Sequence, residues 1–335
     1  MTHDDLKQAL PAGRTASIPY RDPHHPDRPL TLECHRPATH APDGPVVIVQ
    51  HGMSRNGAAY RDAWVPAADR HGVLIVAINF GEAWQGSGPY NNGHVLAGDG
   101  SVRRREAWSY AIPGRVFALL RQAGVTTREK AYLWGHSAGG QFVHRLLATQ
   151  SHAWLQAVGA ANSGWYTLPT FDRAFPDGLG GTGLGGTAVG RTGVGRTGVG
   201  GIGLGGTGSG RTGVGGTGVG GTGLGGTGVD GIGPGGTGPG SNALTDLLAY
   251  PLVIFAGDRD IEPAAANLPK HPTAMQQGPH RFARAHHYLE SGRAAAAALG
   301  VACNWRLVVV PGVGHDGMRM SAFAAAYWFD GQAHA

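Results

Sequence analysis

Cysteine is nearly absent. The chain of 335 residues holds two, Cys34 and Cys303, too few for a disulfide framework, so both are expected to be buried free thiols in strands. Charge is sparse as well: 15% of residues are Asp, Glu, Lys or Arg, and 27 basic against 22 acidic side chains leave a net charge of +5. The longest basic run, Arg103-Arg104-Arg105, is cut off by Glu106. With no aromatic or basic stripe beside it, it reads as a solvated helix start, and no nucleic-acid partner is expected. No stretch reaches the ~20 consecutive apolar residues of a membrane helix. The opening MTHDDLKQAL has acids where a secretory leader needs bases. No membrane contact is therefore expected, and the cytoplasm is the expected location. HExxH, clustered Cys/His and carboxylate-rich loops are also missing, so neither a metal nor a cofactor is expected.

What is abundant is glycine, and it is unevenly placed. Gly178 to Gly240 holds more than half of the chain's 59 glycines, in a five-residue repeat such as GGTGL and GRTGV, with no aromatic residue. Such a segment buries too little surface to offset its ordering entropy, which predicts a flexible, elastin-like insertion. The period does not match the three-residue repeat of collagen. Dinucleotide-type G-x-G-x-x-G spacings inside it adjoin neither a strand nor a helix and are compositional. Closing a ~60-residue loop in place of a ~6-residue one costs about 2 kcal/mol, so a folded host tolerates it. The expected organisation is one domain from residues 1–177 and 241–335, interrupted by a passive insertion at 178–240.

The host alternates strands and helices. Two short strands, TASIPYRD and LTLECHRP, are joined by PHHPDRP, whose prolines predict an edge loop with His24 and His25 exposed. Continuous apolar runs at Pro45–Gln50 and Val73–Phe80 predict strands buried on both faces. A helix is expected between them over 58–71, and another carrying Trp108, Ile112, Val116, Phe117 and Leu120. Further strands are expected at 156–162, 251–256 and 304–310, with helices over 281–299 and up to Phe329. The pattern is that of an α/β protein with a doubly wound, mostly parallel sheet, whose ligands gather at the carboxyl ends of the strands.

One such end is Ala131–Gly140, AYLWGHSAGG, where an apolar run stops at Gly135-His136-Ser137-Ala138-Gly139 and a helix-periodic segment follows. A serine on so sharp a turn needs glycine on either side, and the following helix aims its N–H groups at the hydroxyl. His136 is expected to be structural, because adjacent residues on a tight turn point apart. The strand at 156–162 delivers Trp165 and Tyr166 to the same edge, where they are candidate pocket walls.

An acid after the next-to-last strand and a histidine after the last complete the order Ser, Asp, His. With the loop His51-Gly52-Met53, this order resembles the α/β-hydrolase fold over the whole chain apart from the glycine insert. HGMSRNGAAYRDAW, GHSAGGQFVHR, NSGWYTLP and PGVGHD look like bacterial serine esterases of the poly(3-hydroxybutyrate) depolymerase-like type. The resemblance implies a nucleophile at Ser137 and a general base at His315. For the acid it selects Asp260, three residues after the glycine ending the strand, with Asp258 in reserve and Asp316 solvent-facing. It also implies oxyanion donors in the backbone N–H groups of Met53 and Ala138. The expected activity is hydrolysis of carboxylic esters through an acyl-enzyme, on a small-molecule or oligomeric ester, with hydroxyalkanoate oligomers as a candidate. A peptidase or thioesterase on the same machinery, and a non-catalytic scaffold carrying a Gly-rich spacer, are the competing readings.

Overall fold

The computed structural model describes residues 3–185 and 243–331. Most of the expected insertion, 186–240, lies outside the described residues, as do 241 and 242. The chain opens with helix α1 (His3–Ala9), then strands β1 (Arg14–Tyr20), β2 (Leu30–Arg36) and β3 (Val46–Gln50). Helices α2 (Gly57–Asp62) and α3 (Val65–His71) lead to β4 (Leu74–Asn79). After α4 (Ile112–Gln122) come β5 (Ala131–His136), α5 (Ala138–Thr149) and β6 (Leu155–Ala161). Beyond the insert follow α6 (Ala243–Ala249), β7 (Leu252–Gly257), α7 (Pro272–Met275), α8 (Arg281–Leu299), β8 (Arg306–Val310) and α9 (Gly317–Phe329).

The strands form one eight-stranded sheet in the order β1-β2-β4-β3-β5-β6-β7-β8. The pairs β1–β2 and β2–β4 are antiparallel, and every pair from β4–β3 to β7–β8 is parallel. The sheet is thus doubly wound and mostly parallel, as the alternation predicts. Strands β6 and β7, which flank the insert in sequence, are neighbours in the sheet, so the host closes across it.

Side-chain alternation builds two cores. On one face Val46, Ile48, Leu74, Val76, Leu133 and Ile254 pack with α4, α5, α6 and α8. On the other, Val47, Val49, Ile75, Trp134 and Phe255 pack under α2, α3 and α9. Residues one apart on a strand fall into different cores, as the period of two requires.

Four expectations need correction. The helix expected over 58–71 is two helices, because Pro66 sits in the first turn of α3 and has no N–H to continue the ladder of α2. Trp64 at the break is fully buried, stacked on Trp328 and edge-on to Trp134. His25 is buried, not exposed, its ring edge-on to Trp84 at 4.9 Å. The loop around it is pinned by Asp22, whose carboxylate takes two hydrogen bonds from Arg115 of α4, at 2.7 and 2.9 Å. Cys34 is buried in β2, its thiol pushed up to about 12 by that burial, whereas Cys303 lies ahead of β8 and is half-buried. Finally, the host does not stop at residue 177. Leu179 is buried in the core, its N–H bonded to the Thr170 carbonyl at 2.7 Å, and Thr182 is buried beside it. A leucine with apolar neighbours within reach stays in the core whatever the glycine content around it.

One glycine reverses a general rule. Gly→Ala inside a helix ordinarily stabilises by about 1 kcal/mol, but a Cβ at Gly292 of α8 would lie 2.5 Å from the Trp305 ring. Gly292→Ala is therefore expected to destabilise by about 1–3 kcal/mol, read as a drop in urea midpoint. A midpoint equal to or above that of the parent would show that α8 and the β8 segment are less tightly packed than described.

Candidate active site

The turn between β5 and α5 is built by close approach. Ser137 has φ 58° and ψ −115°, left-handed for a residue with a Cβ. A Cβ at Gly135 would overlap the Gly139 carbonyl, and one at Gly139 would overlap the Gln50 carbonyl at the end of β3. The two glycines let β3, β5 and α5 converge more tightly than any other residue allows. The Ser137 N–H is bonded to the Ala161 carbonyl of β6 at 2.9 Å, and the Gln141 N–H to the Ser137 carbonyl at 3.0 Å. The strained residue is thereby held between sheet and helix.

The hydroxyl that this turn presents meets His315. Ser137 Oγ lies 3.0 Å from His315 Nε2, and His315 Nδ1 lies 2.7 Å from Asp260 Oδ2. Three residues expected from the sequence are therefore brought into one hydrogen-bonded line from three loops at the carboxyl edge of the sheet. Asp260 is 3% exposed at its side chain, while His315 is 29% exposed. Asp258, the reserve acid, is engaged elsewhere: it accepts the Gly312 N–H at 2.7 Å and closes the turn after β8. Asp316 caps α9, accepting the N–H groups of Met318 and Arg319 at 3.0 and 3.1 Å.

The His51–Met53 loop borders the same hydroxyl: a Cβ at Gly52 would lie 3.8 Å from Ser137 Cβ. His51 is fully buried and fixes this loop. Its Nε2 accepts the Phe80 N–H at 2.9 Å and its Nδ1 donates to the Gly52 carbonyl at 2.8 Å, with Tyr90 stacked on the ring. Burial lowers its pKa to about 4, as an imidazole that must accept a hydrogen bond requires. The Ala138 amide, in the first turn of α5, has no carbonyl four residues back within the helix to bond. A groove of about 570 Å³ lined by Met53, Arg55, Asn79, Glu82 and Gln85 opens beside the Met53 backbone.

Three contributors had no clear mark in the sequence. Asn162, left-handed at φ 44° and buried, accepts the Gly257 N–H and donates to the Gly314 carbonyl, both at 2.9 Å. It thus ties the strand leading to Asp260 to the loop bearing His315. An Asn-Ser-Gly after a strand is the one cue to such a turn residue. Tyr60 Oη lies 2.8 Å from His136 Nδ1, and the His136 ring lies 4.7 Å from that of His315. His136 is therefore packed against the site though it lies off the hydrogen-bonded line. Its pKa is held well below the usual histidine value, first by burial and then by the neighbouring His315 and Arg281. Arg281, almost fully buried, lies 3.5 Å from Asp260 Oδ1.

The pocket-wall expectation fails for Tyr166. Its ring is fully buried, stacked on Tyr288 at 4.4 Å, and its backbone exchanges two hydrogen bonds with Gln277. A large ring at the end of a strand found a core slot and left no face to the opening. Trp165 is largely covered too, with the Arg145 guanidinium 4.5 Å from its ring. Among the described residues no three His, Cys, Asp or Glu side chains are grouped as a metal would need, and no helix is long and apolar enough to cross a membrane.

Comparison with known proteins places the fold. The chain is similar to the crystal structure of LpqC, a poly(3-hydroxybutyrate) depolymerase from Bordetella parapertussis, with 43% identity, a TM-score of 0.77 and coverage of 99% of this chain and 96% of that one. The chain belongs to the poly(3-hydroxybutyrate) depolymerase-like family of α/β-hydrolases. Poly(aspartic acid) hydrolase-1 from Sphingomonas sp. KT-1 is also similar, at 26% identity and a TM-score of 0.72, over 94% of this chain and 98% of that one. An S-formylglutathione hydrolase from Agrobacterium tumefaciens shares the fold at 12% identity and a TM-score of 0.50, over 94% and 92%. No family model and no curated protein matches the chain. This α/β-hydrolase is accordingly an ester hydrolase.

Its neutral buried histidines set a pH limit on stability. The unfolded imidazole of His51 binds a proton below about pH 6.5, whereas the folded one stays neutral until about 4. The unfolded state holds the extra proton within that window, so stability falls as pH falls through it and is unaffected above it. His51 alone removes up to about 3 kcal/mol by pH 4, and the buried His136 and His144 act in the same direction. Urea unfolding is expected to give a flat stability from pH 8 to 6.5 and a decline below it. Stability that rises between pH 6.5 and 5 would contradict this.

Proposed function

We propose that the enzyme cleaves carboxylic esters by acyl transfer through Ser137. His315 Nε2 takes the hydroxyl proton as Oγ attacks the carbonyl, and returns it to the departing alcohol. Water, deprotonated by the same nitrogen, then releases the acid and restores Ser137. Asp260 holds the imidazole with its Nδ1 proton inward and stabilises the imidazolium. The N–H groups of Met53 and Ala138 take the oxyanion of each tetrahedral intermediate. The observation that supports this reading is the continuous contact from hydroxyl to imidazole to buried carboxylate, at 3.0 and 2.7 Å, on a strained turn. Strain of this kind costs about 1–3 kcal/mol and persists at functional turns.

The substrate we propose is an oligomeric hydroxyalkanoate ester. Two features favour it: the family's 43%-identical member is a poly(3-hydroxybutyrate) depolymerase, and the groove beside Met53 offers a 46%-exposed apolar side chain together with the donor Gln85. A chain of alternating methylene and carbonyl groups presents matching apolar and acceptor faces.

Steady-state kinetics on p-nitrophenyl esters of increasing length and on soluble 3-hydroxybutyrate oligomers, with a fluorophosphonate probe in parallel, test both parts. Ser137→Ala is expected to abolish labelling and lower kcat by about 10⁴-fold or more, and Asp260→Asn by roughly 10³–10⁴. Asp258→Asn should stay within about threefold of the parent, since that side chain only closes a turn. Hydrolysis undiminished in Ser137→Ala would refute the mechanism. A Ser137-dependent enzyme that leaves the oligomers intact would refute the substrate alone.

A further inference from the structure

The guanidinium of Arg281, the first residue of α8, is 2% exposed and faces an Asp260 side chain that is 3% exposed. Among the described residues its Nε has no partner, and Asp260 is the carboxylate it pairs with. One turn further on, Arg284 shows how this fold buries a cation for structural purposes. That guanidinium is enclosed by the carbonyls of Gly278, Gly164 and Pro269 and by the Met275 sulfur. Among the described residues Arg281 has no such cage, so its burial is compensated through Asp260. A buried cation costs several kcal/mol without a counter-charge, and the two side chains are therefore strongly coupled.

The Asp260 carboxylate consequently serves two groups. Oδ2 takes the His315 Nδ1 proton at 2.7 Å, and Oδ1 faces Arg281 at 3.5 Å. Of the other charged and titratable groups around the pair, Arg284 is a second cation beside Arg281, bound to carbonyls rather than to a carboxylate. His136 from β5 and Tyr60 from α2 are kept neutral by burial, as is Tyr166 beyond β6. Asp258 is bound to the Gly312 N–H and sits by Arg259, and Asp316 is bound to the first amides of α9. With His315 neutral, the charges of Asp260 and Arg281 cancel. Once His315 has taken the serine proton, the same cluster carries one net positive charge.

We propose that Arg281 is a positioning residue of the reaction centre: it holds the second carboxylate oxygen of Asp260 and so shares the negative charge that faces His315. The inference rests on the proposed roles of Ser137, His315 and Asp260. Its chemical consequence is twofold. Oδ2 is kept in line with the His315 Nδ1 proton, which leaves Nε2 aimed at Ser137. The carboxylate facing His315 is shared with a cation, so removing Arg281 would leave its negative charge unopposed beside the imidazole.

The test is the pH dependence of kcat/KM on a small p-nitrophenyl ester, for the parent, Arg281→Met, Arg281→Lys and Ser137→Ala. Arg281→Met removes the charge at similar volume and is expected to move the acid limb up by roughly one pH unit. Arg281→Lys keeps the charge but shifts the donor that faces Oδ1, so its limb stays in place while kcat falls about tenfold at unchanged KM. An acid limb unmoved in Arg281→Met would overturn the proposal. If Arg281→Met does not yield folded protein, parental kcat in Arg281→Lys would overturn it. Activity surviving in Ser137→Ala would instead bring down the underlying mechanism, a result separate from either of these.

Discussion

The structure depends on the approach of three backbones at one point. The end of β3, the end of β5 and the start of α5 come together where Gly135 and Gly139 leave no room for a Cβ. That contact forces the left-handed turn at Ser137, seats the His51–Met53 loop beside it and points the first amides of α5 at the same space. The parallel register of β3, β5 and β6 sets the height of the turn. The cores on both faces of the sheet hold the three segments there against the strain. A hydroxyl so displayed is costly to maintain, and the packing that pays for it is spread over the whole domain.

Electrostatics around this point follow one rule: charge is admitted only where it is answered. Asp22 lies under Arg115, Glu33 under Arg61, and Asp260 between His315 and Arg281. Buried imidazoles are neutral, as in His51, His136 and His144, because burial outweighs every neighbour that would charge them. Buried arginines without a carboxylate, Arg145 and Arg284, are wrapped in carbonyls and amides. Against this background His315 is distinctive: it is partly open to solvent and hydrogen-bonded on both nitrogens, the condition of a group that takes up and gives back a proton.

Much of this was legible in the sequence, and the limits have physical causes. Strand positions could be read because buried parallel strands are continuous apolar runs, and Ser137 because its turn admits so few residues. Asp260 could be placed because the family resemblance puts the acid three residues after the glycine that ends the strand. What escaped were residues whose partners come from far along the chain. Asn162 bridges Gly257 and Gly314, Tyr60 reaches His136, and Arg281 reaches back to Asp260. No local pattern records such contacts. Tyr166 and His25 were misread for the converse reason: a polar or loop-like neighbourhood gives no sign that the ring will find a slot in the core. Leu179 shows the same at the edge of the glycine repeat, where composition suggested that packing had already ended.

The central claim is that one tetrahedral species is held by Ser137, His315 and the two backbone donors together. A crystal structure of the phosphonate adduct measures this directly. The account predicts phosphorus bonded to Ser137 Oγ, with its oxygen about 2.7–3.1 Å from the amide nitrogens of both Met53 and Ala138, and His315 still bonded to Asp260. An adduct on another residue, or an oxygen turned away from those two amides, would contradict it.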